Sequence, residues 1–277
     1  MFTTNHFIWL AVCAVILAAL IVLMAKFKPS QKLVLTVACI CAALSESVKT
    51  LSMVEILPTI SGGYTVYIDT QNLPFHLCSI QIFIIFAVRF MKEGKLRDTL
   101  LAFMYPTCAL LPVLALMIPN VFSYIDVSDA FTAAMPYQYF LYHTMLIALG
   151  VYIAMTGAAK FRVRHIFYSV AIMCIIAYAA IYLNSAFASV DYSQGYAVVE
   201  NITNFFYVYG LPKTLNLFTI TEKWQWLAYF FCLVALVVVV FTIMYLPFIL
   251  KNRKREALAA DAEGEDFESD IFDGGEL

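Results

Sequence analysis

The sequence predicts an all-α, polytopic membrane fold of seven transmembrane helices, and three observations carry that prediction. Of 277 residues, 63% are hydrophobic and only 13% are charged, with a mean hydropathy of +0.84. Soluble domains hold roughly 45–50% apolar and about 25% charged residues, so this chain belongs in a bilayer. Apolar stretches near the ~20 residues needed to cross a bilayer recur seven times. Finally, fourteen of the 17 basic residues fall on alternate connections between those stretches.

Taken in order, Phe7–Ala25 lacks the basic residues that precede a signal-peptide core. It is followed instead by Lys26, Lys28 and Lys32, so it reads as a retained helix. Leu33–Met53 runs back and carries Glu46 and Lys49. Pro74–Met91 leads into a second basic connection with Arg89, Lys92, Lys95 and Arg97, and Thr99–Ile118 follows. Tyr137–Thr156 ends before Lys160, Arg162 and Arg164, and Ile166–Phe187 returns. The connection Ala188–Gln225 is aromatic and apolar but broken by Gly210-Leu211-Pro212. It is expected to pack on the outer surface or dip into the membrane, where protein or a wet cavity must satisfy its backbone. Within it, Asn201-Ile202-Thr203 matches a glycosylation sequon. Trp226–Leu250 is the seventh stretch, and Lys251, Arg253, Lys254 and Arg255 follow it. The positive-inside rule then places the N-terminus outside and the C-terminus in the cytoplasm of a multi-pass cell-membrane protein.

Two regions result. Residues 1–250 form the transmembrane domain. Residues 251–277 begin basic and then carry nine acidic residues from Glu256 to Glu276, the composition of a disordered, solvated cytoplasmic tail. Seven cysteines show neither a CxxC pair nor zinc-finger spacing, and most sit in apolar segments as small hydrophobes. No phosphate-binding glycine loop, nucleic-acid motif or cofactor motif is present, so no cofactor, metal or nucleic-acid partner is expected.

Polar residues inside spans are rare, and each marks a functional hypothesis. Glu46 lies in the outer half of the second segment and Lys49 near its outer end. His76, Cys78 and Gln81 lie in the first turns of the third, and His143 lies about two turns into the fifth. Asn184 ends the sixth on the outer side and Asn204 follows in the outer connection. Interhelical hydrogen bonding is the plain reading of such residues, and Glu46 and Lys49, three apart, suit mutual neutralisation. Their common depth favours a polar cavity open to the outer leaflet.

The stretch Leu73–Ile80, LPFHLCSI, is the most informative. Asn72-Leu73-Pro74 has the form of a helix start with proline in the first turn. Cys78 then sits about one turn in, where the helix dipole favours thiolate. Residues two apart diverge by about 200° on a helix, so His76 is expected to turn away from Cys78. A metal site built from His76, Cys78 and His143 fails on the same ground unless the first turn is irregular. The base for a nucleophilic Cys78 is therefore His143, since His6 and His165 read as solvated residues near the surface.

LPFHLC (Leu73–Cys78), FLYHTM (Phe140–Met145) and NFFYVYGLPK (Asn204–Lys213) together resemble the YwaF family of bacterial seven-helix proteins. That family is similar, more distantly, to eukaryotic transmembrane lysophospholipid acyltransferases and to membrane hydrolases of branched fatty-acid esters. The resemblance covers the third to seventh segments and leaves the tail outside. It implies Cys78 and His143 as the catalytic pair. In the third motif this chain has Asn204-Phe205 and Pro212-Lys213 where the family often shows Asn-Tyr and Lys-Pro.

Two functions follow as expectations. The first is a membrane acyltransferase or acyl hydrolase acting on lipid esters, with Cys78 as nucleophile and His143 as base. Glu46 is the candidate to orient His143, and Asn184, Gln81 or backbone amides opening the third segment are the candidate oxyanion donors. The second is a small-molecule binding or transport protein using the same cavity, with Glu46, Lys49 and His143 as its ionisable groups. A retinal pigment does not fit, because the seventh segment has no lysine.

Overall fold

The structure is a computed structural model describing residues 3–119, 121, 129–159, 161–191, 193, 198–201, 203–210 and 220–273, with side chains as far as Arg255. Lys160, the Leu211-Pro212 break, Lys213, and Ile202 of the sequon lie outside the described residues. The chain is predominantly helical: α1 (Thr4–Phe27), α2 (Gln31–Met53), α3 (Leu77–Phe90), α4 (Lys95–Ala109), α5 (Leu111–Met117), α6 (Ala134–Thr156), α7 (Val163–Ala186) and α8 (Lys223–Asp273). Two short antiparallel ribbons, unforeseen in the sequence, decorate the connections. They are β1 (Glu55–Pro58) with β2 (Tyr64–Tyr67), and β3 (Ser189–Asp191) with β4 (Val198–Asn201).

Among the described residues six segments are long and apolar enough to cross a membrane: α1, α2, α4 with α5, α6, α7, and α8 as far as Arg255. Their outward faces are apolar, with residues such as Val15, Ile175 and Phe231 more than half exposed. The third predicted segment is shorter. α3 has 14 residues and is about 21 Å long, against a hydrocarbon core of ~30 Å. It starts three residues later than the Pro74 entry anticipated. Leu73 is extended, as a residue before proline prefers, and the Phe75 N–H bonds to the Leu73 carbonyl at 2.8 Å. His76 is thus the residue before the helix, with extended φ/ψ of −74° and 154°.

At the other extreme, α8 remains helical to Asp273, whereas the composition of the tail predicts disorder. Ala, Leu, Glu and Lys dominate Lys254–Glu265, and these residues favour helix whether or not they pack.

α6 is the hub of the bundle, packing on α1, α2, α4 and α5. Its approach to α4 depends on Gly150, where a Cβ would lie 2.7 Å from the Ala109 backbone nitrogen. α1 docks through Trp9, which stacks on Phe140 (4.9 Å between centroids, 3° between planes) and donates to the Ala130 carbonyl at 2.9 Å. His6 and His165 are both buried, not solvated as expected. His6 bonds through Nε2 to the Leu116 carbonyl at 2.9 Å, a partner supplied only by the folded α5.

Hydrogen bonds gather the basic connections at one end of the bundle. Tyr152 donates to Pro29 O, Arg89 to Thr36 Oγ1 and Asn252 to Phe161 O. The opposite end is joined by Thr70 with Thr203, Asn184 with Phe205, and Trp226 with Val208.

α4 contains Pro106, which has no N–H for the carbonyl four residues back, Ala102. The fully buried Tyr245 of α8 donates to that carbonyl at 2.7 Å, so its oxygen accepts from Ser169 Oγ of α7 at 2.9 Å. One hydroxyl therefore ties three helices at the point where proline frees a carbonyl. Tyr245→Phe should destabilise the purified protein by about 1–3 kcal/mol, read as a lowered thermal midpoint. Pro106→Ala restores the intrahelical donor and should recover much of that loss in the double variant. Strictly additive effects would show that the hydroxyl does not serve this carbonyl.

Candidate functional site

A cavity of about 560 Å³ opens among α2, α3, α5, α6, α7, α8 and the turn Phe205–Tyr207. Its volume falls in the range of small-molecule sites, and its lining divides by chemistry. One region carries Glu46, Lys49, Gln71, His76, Cys78, Gln138 and His143. The rest is apolar, built from Leu111, Leu114, Ile118, Met173, Phe230, Val234 and their neighbours. Leu114 and Leu236, on the walls contributed by α5 and α8, are 50% and 57% exposed, so the apolar part also reaches the outer surface of the bundle.

Five of the eight candidate residues come together here: Glu46, Lys49, His76, Cys78 and His143. Cys78 is the second residue of α3, and its carbonyl accepts from Tyr142 Oη at 2.8 Å. His143 is the next residue of α6, so this bond brings the two helices together beside the cavity. His143 Nδ1 lies 2.6 Å from the Tyr139 carbonyl, one turn earlier. A carbonyl only accepts, so Nδ1 carries the hydrogen, and the Nε2 of the neutral ring holds the lone pair. The Tyr139 ring packs against the imidazole at 4.3 Å between centroids. Among the described residues no hydrogen bond joins the Cys78 thiol to His143, although both line the cavity.

Several sequence-based roles change. Glu46 does not orient His143. Its carboxylate pairs with Lys49 at 2.7 Å, and the Tyr139 carbonyl fixes the imidazole instead. His76 does not turn away from Cys78. Because it precedes the helix, the 200° argument does not reach it, and it lines the same cavity. Its Nε2 donates to the Gln71 carbonyl at 3.0 Å, and its ring meets the edge of Phe205 at 5.0 Å.

Gln81, Asn184 and Asn204 are absent from the lining, and each has a structural task. Gln81, fully buried, donates to Thr107 Oγ1 at 2.9 Å and accepts from the Cys108 thiol, holding α3 to α4. Asn184 clamps the Phe205 backbone on both sides, accepting from its N–H at 2.9 Å and donating to its carbonyl at 3.2 Å. Asn204 accepts from Tyr209 N at 3.1 Å and donates to Gly210 O at 2.9 Å. That turn holds Phe206 and Tyr207 at φ of 60° and 53°, a left-handed conformation that costs about 1–3 kcal/mol per bulky residue. α8 secures it through Trp226 and Tyr229, which donate to Val208 O and Tyr207 O. The strained turn puts both aromatic side chains into the cavity wall.

Sequence reasoning missed Gln138, Tyr139 and Tyr142 as site residues. Their signal was a cluster of polar-tipped side chains at one end of an otherwise apolar segment, adjacent to a histidine already singled out. Among the described residues no group of three or more His, Cys, Asp or Glu is placed to hold a metal ion.

No curated protein and no solved structure matches this chain. The TMEM164 family model matches residues 1–245, taking in α1 and α2 as well as the motifs around Cys78, His143 and Asn204. With six helices of membrane-spanning length and that match, the chain is a multi-pass membrane protein and belongs to the TMEM164 family.

Proposed function

We propose that this protein transfers or hydrolyses the acyl group of a membrane lipid ester, through a thioester on Cys78 with His143 as general base. The reading includes seven crossings of the cell membrane, N-terminus outside, with α3 as the short seventh. The observation that carries it is the shared cavity, whose wall includes both Cys78 and a His143 held by its Nδ1 on the Tyr139 carbonyl, beside an apolar chamber. The resemblance of the LPFHLC and FLYHTM motifs to the YwaF family, read from the sequence, points to the same pair.

In this mechanism the thiol proton passes to His143 Nε2, and the sulfur attacks the ester carbonyl. The resulting oxyanion lies at the start of α3, where the amides of Leu77, Cys78 and Ser79 have no intrahelical acceptor. Gln81 and Asn184 drop out as donors because their amides are already committed. Collapse breaks the carbon–oxygen bond, and the departing alcohol takes the proton from His143. A lipid hydroxyl or water then gives its proton to His143, attacks the thioester and releases the Cys78 thiol. The amphipathic cavity suits this substrate, since an ester sits between a polar headgroup and an apolar chain. A binding or transport protein is the second reading. It is favoured by the Glu46–Lys49 pair on the cavity wall, for which the acyl mechanism has no use.

Reporter fusions test the topology. A fusion after Leu250 should behave as cytoplasmic, and one within Ala188–Lys223 as external; an external C-terminus would overturn the orientation.

For the chemistry, the purified protein in lipid nanodiscs should be assayed for acyl transfer and hydrolysis with labelled phospholipids and lysophospholipids. Cys78→Ala should abolish turnover and the hydroxylamine-sensitive acyl adduct. His143→Ala should cost about 10²–10⁴-fold, and the double variant should be scarcely worse than Cys78→Ala alone. Full turnover in Cys78→Ala would remove the covalent mechanism and leave the binding reading.

Asn184 is a positioning residue under this proposal. Asn184→Ala releases Phe205, the ring against which His76 rests, and should raise KM several-fold more than it lowers kcat. Loss of folded protein with unchanged constants for the remainder would show a purely structural role.

A further inference from the structure

A second cleft, of about 550 Å³, lies at the other end of the bundle, where the α6–α7 connection meets the end of the membrane-length part of α8. It is lined by Phe161, Val163, Ile249 and Asn252, and by three arginines, Arg162, Arg253 and Arg255. Among the described residues no acidic side chain lines it. The floor is rigid. Phe161 is buried against Tyr105, Tyr245 and Phe248, with ring centroids 5.2, 5.2 and 4.6 Å away. Asn252 Nδ2 donates to the Phe161 carbonyl at 3.2 Å, pinning the α6–α7 connection to α8. The arginine side chains themselves are exposed, and among the described residues none forms a salt bridge. Three like charges thus rim a preformed recess, an arrangement that gains stability from an anion between them.

The position of the recess selects the anion. The apolar part of α8 ends at Leu250, so the arginines stand at the depth of lipid headgroups on that side of the bilayer. Leu246 and Leu250, both exposed, lie within about two turns of Arg253 on the apolar part of α8, at the depth of acyl chains. The guanidinium fork matches a phosphate with two parallel hydrogen bonds, a geometry that lysine does not reproduce. From these observations we infer that the cleft binds the phosphate of an anionic phospholipid headgroup. This site is separate from the Cys78–His143 cavity and does not depend on the reaction proposed for it.

The test uses the full chain in nanodiscs of neutral phosphatidylcholine with about 10% phosphatidylglycerol, followed by native mass spectrometry of the released protein. Phosphatidylglycerol adducts should outnumber phosphatidylcholine adducts well beyond the bulk ratio. Arg162→Gln, Arg253→Gln and Arg255→Gln should each reduce that preference several-fold, and the triple variant on the order of 100-fold. Lys26→Gln with Lys28→Gln, basic residues at the same end but outside the cleft, should leave it nearly unchanged. Because these arginines are exposed, the thermal midpoints should hold. The triple Arg→Lys variant keeps the charge and should lose part of the preference. Equal losses in the Lys26/Lys28 control would reduce the effect to diffuse attraction and overturn the site. Arginine-dependent binding of inorganic phosphate in pure phosphatidylcholine nanodiscs, without a preference for phosphatidylglycerol, would mean a soluble anion and would overturn the lipid assignment. Retention of both lipids in their bulk ratio would overturn the inference outright.

Discussion

A carbonyl without a donor is costly in a medium that offers no water, and this bundle is organised around the carbonyls its own breaks expose. Pro106 orphans Ala102, and Tyr245 answers from α8. In the last turn of the short α5, the carbonyls of Ala115 and Leu116 accept from Tyr139 Oη and His6 Nε2. Trp9 answers Ala130, Trp226 and Tyr229 answer the turn that follows Asn204, and Tyr142 adds a further donor to the Cys78 carbonyl within α3. In each case an aromatic side chain with one polar tip reaches across from another helix. The 16% aromatic content is therefore a set of interhelical fasteners as much as apolar mass.

The same device builds the candidate site. Tyr142 joins α6 to the first turn of α3, and the adjacent His143 is oriented by a backbone carbonyl of its own helix. No carboxylate is spent on the imidazole. Glu46 is neutralised by Lys49, which keeps net charge out of the cavity wall. On the opposite side, Asn184 and Asn204 do not meet the cavity. They hold a strained backbone turn whose aromatic side chains do. Polar residues in this membrane protein thus divide into those that face the cavity and those that support its walls.

Shared depth proved a good guide to neighbourhood and a poor guide to role. Glu46, Lys49, His76, Cys78 and His143 were recoverable because the positive-inside pattern fixes the direction of each segment, and direction converts sequence position into depth. Gln81, Asn184 and Asn204 share that depth but turn their amides into α4 and into the turn after β4. Depth says nothing about azimuth, and helical phase fails where a helix has not yet begun. His76 was misjudged for that reason. Its place one residue before α3 frees it from the 100° step that would have turned it away.

The amino-acid sequence by itself determined that the chain is a helical membrane protein, where its apolar segments fall, and which end of the bundle gathers its basic residues. Those properties follow from composition and local order, because the bilayer tests each segment for apolar length before any tertiary contact forms. Only the tertiary structure decided which polar groups meet, that α3 is short, that His6 and His165 are buried, and that a second, arginine-rimmed cleft stands opposite the first. Those properties depend on rotation about helix axes and on hydrogen bonds between residues more than a hundred positions apart, such as His6 with Leu116 and Tyr245 with Ala102. Neither is encoded in any local window of the chain.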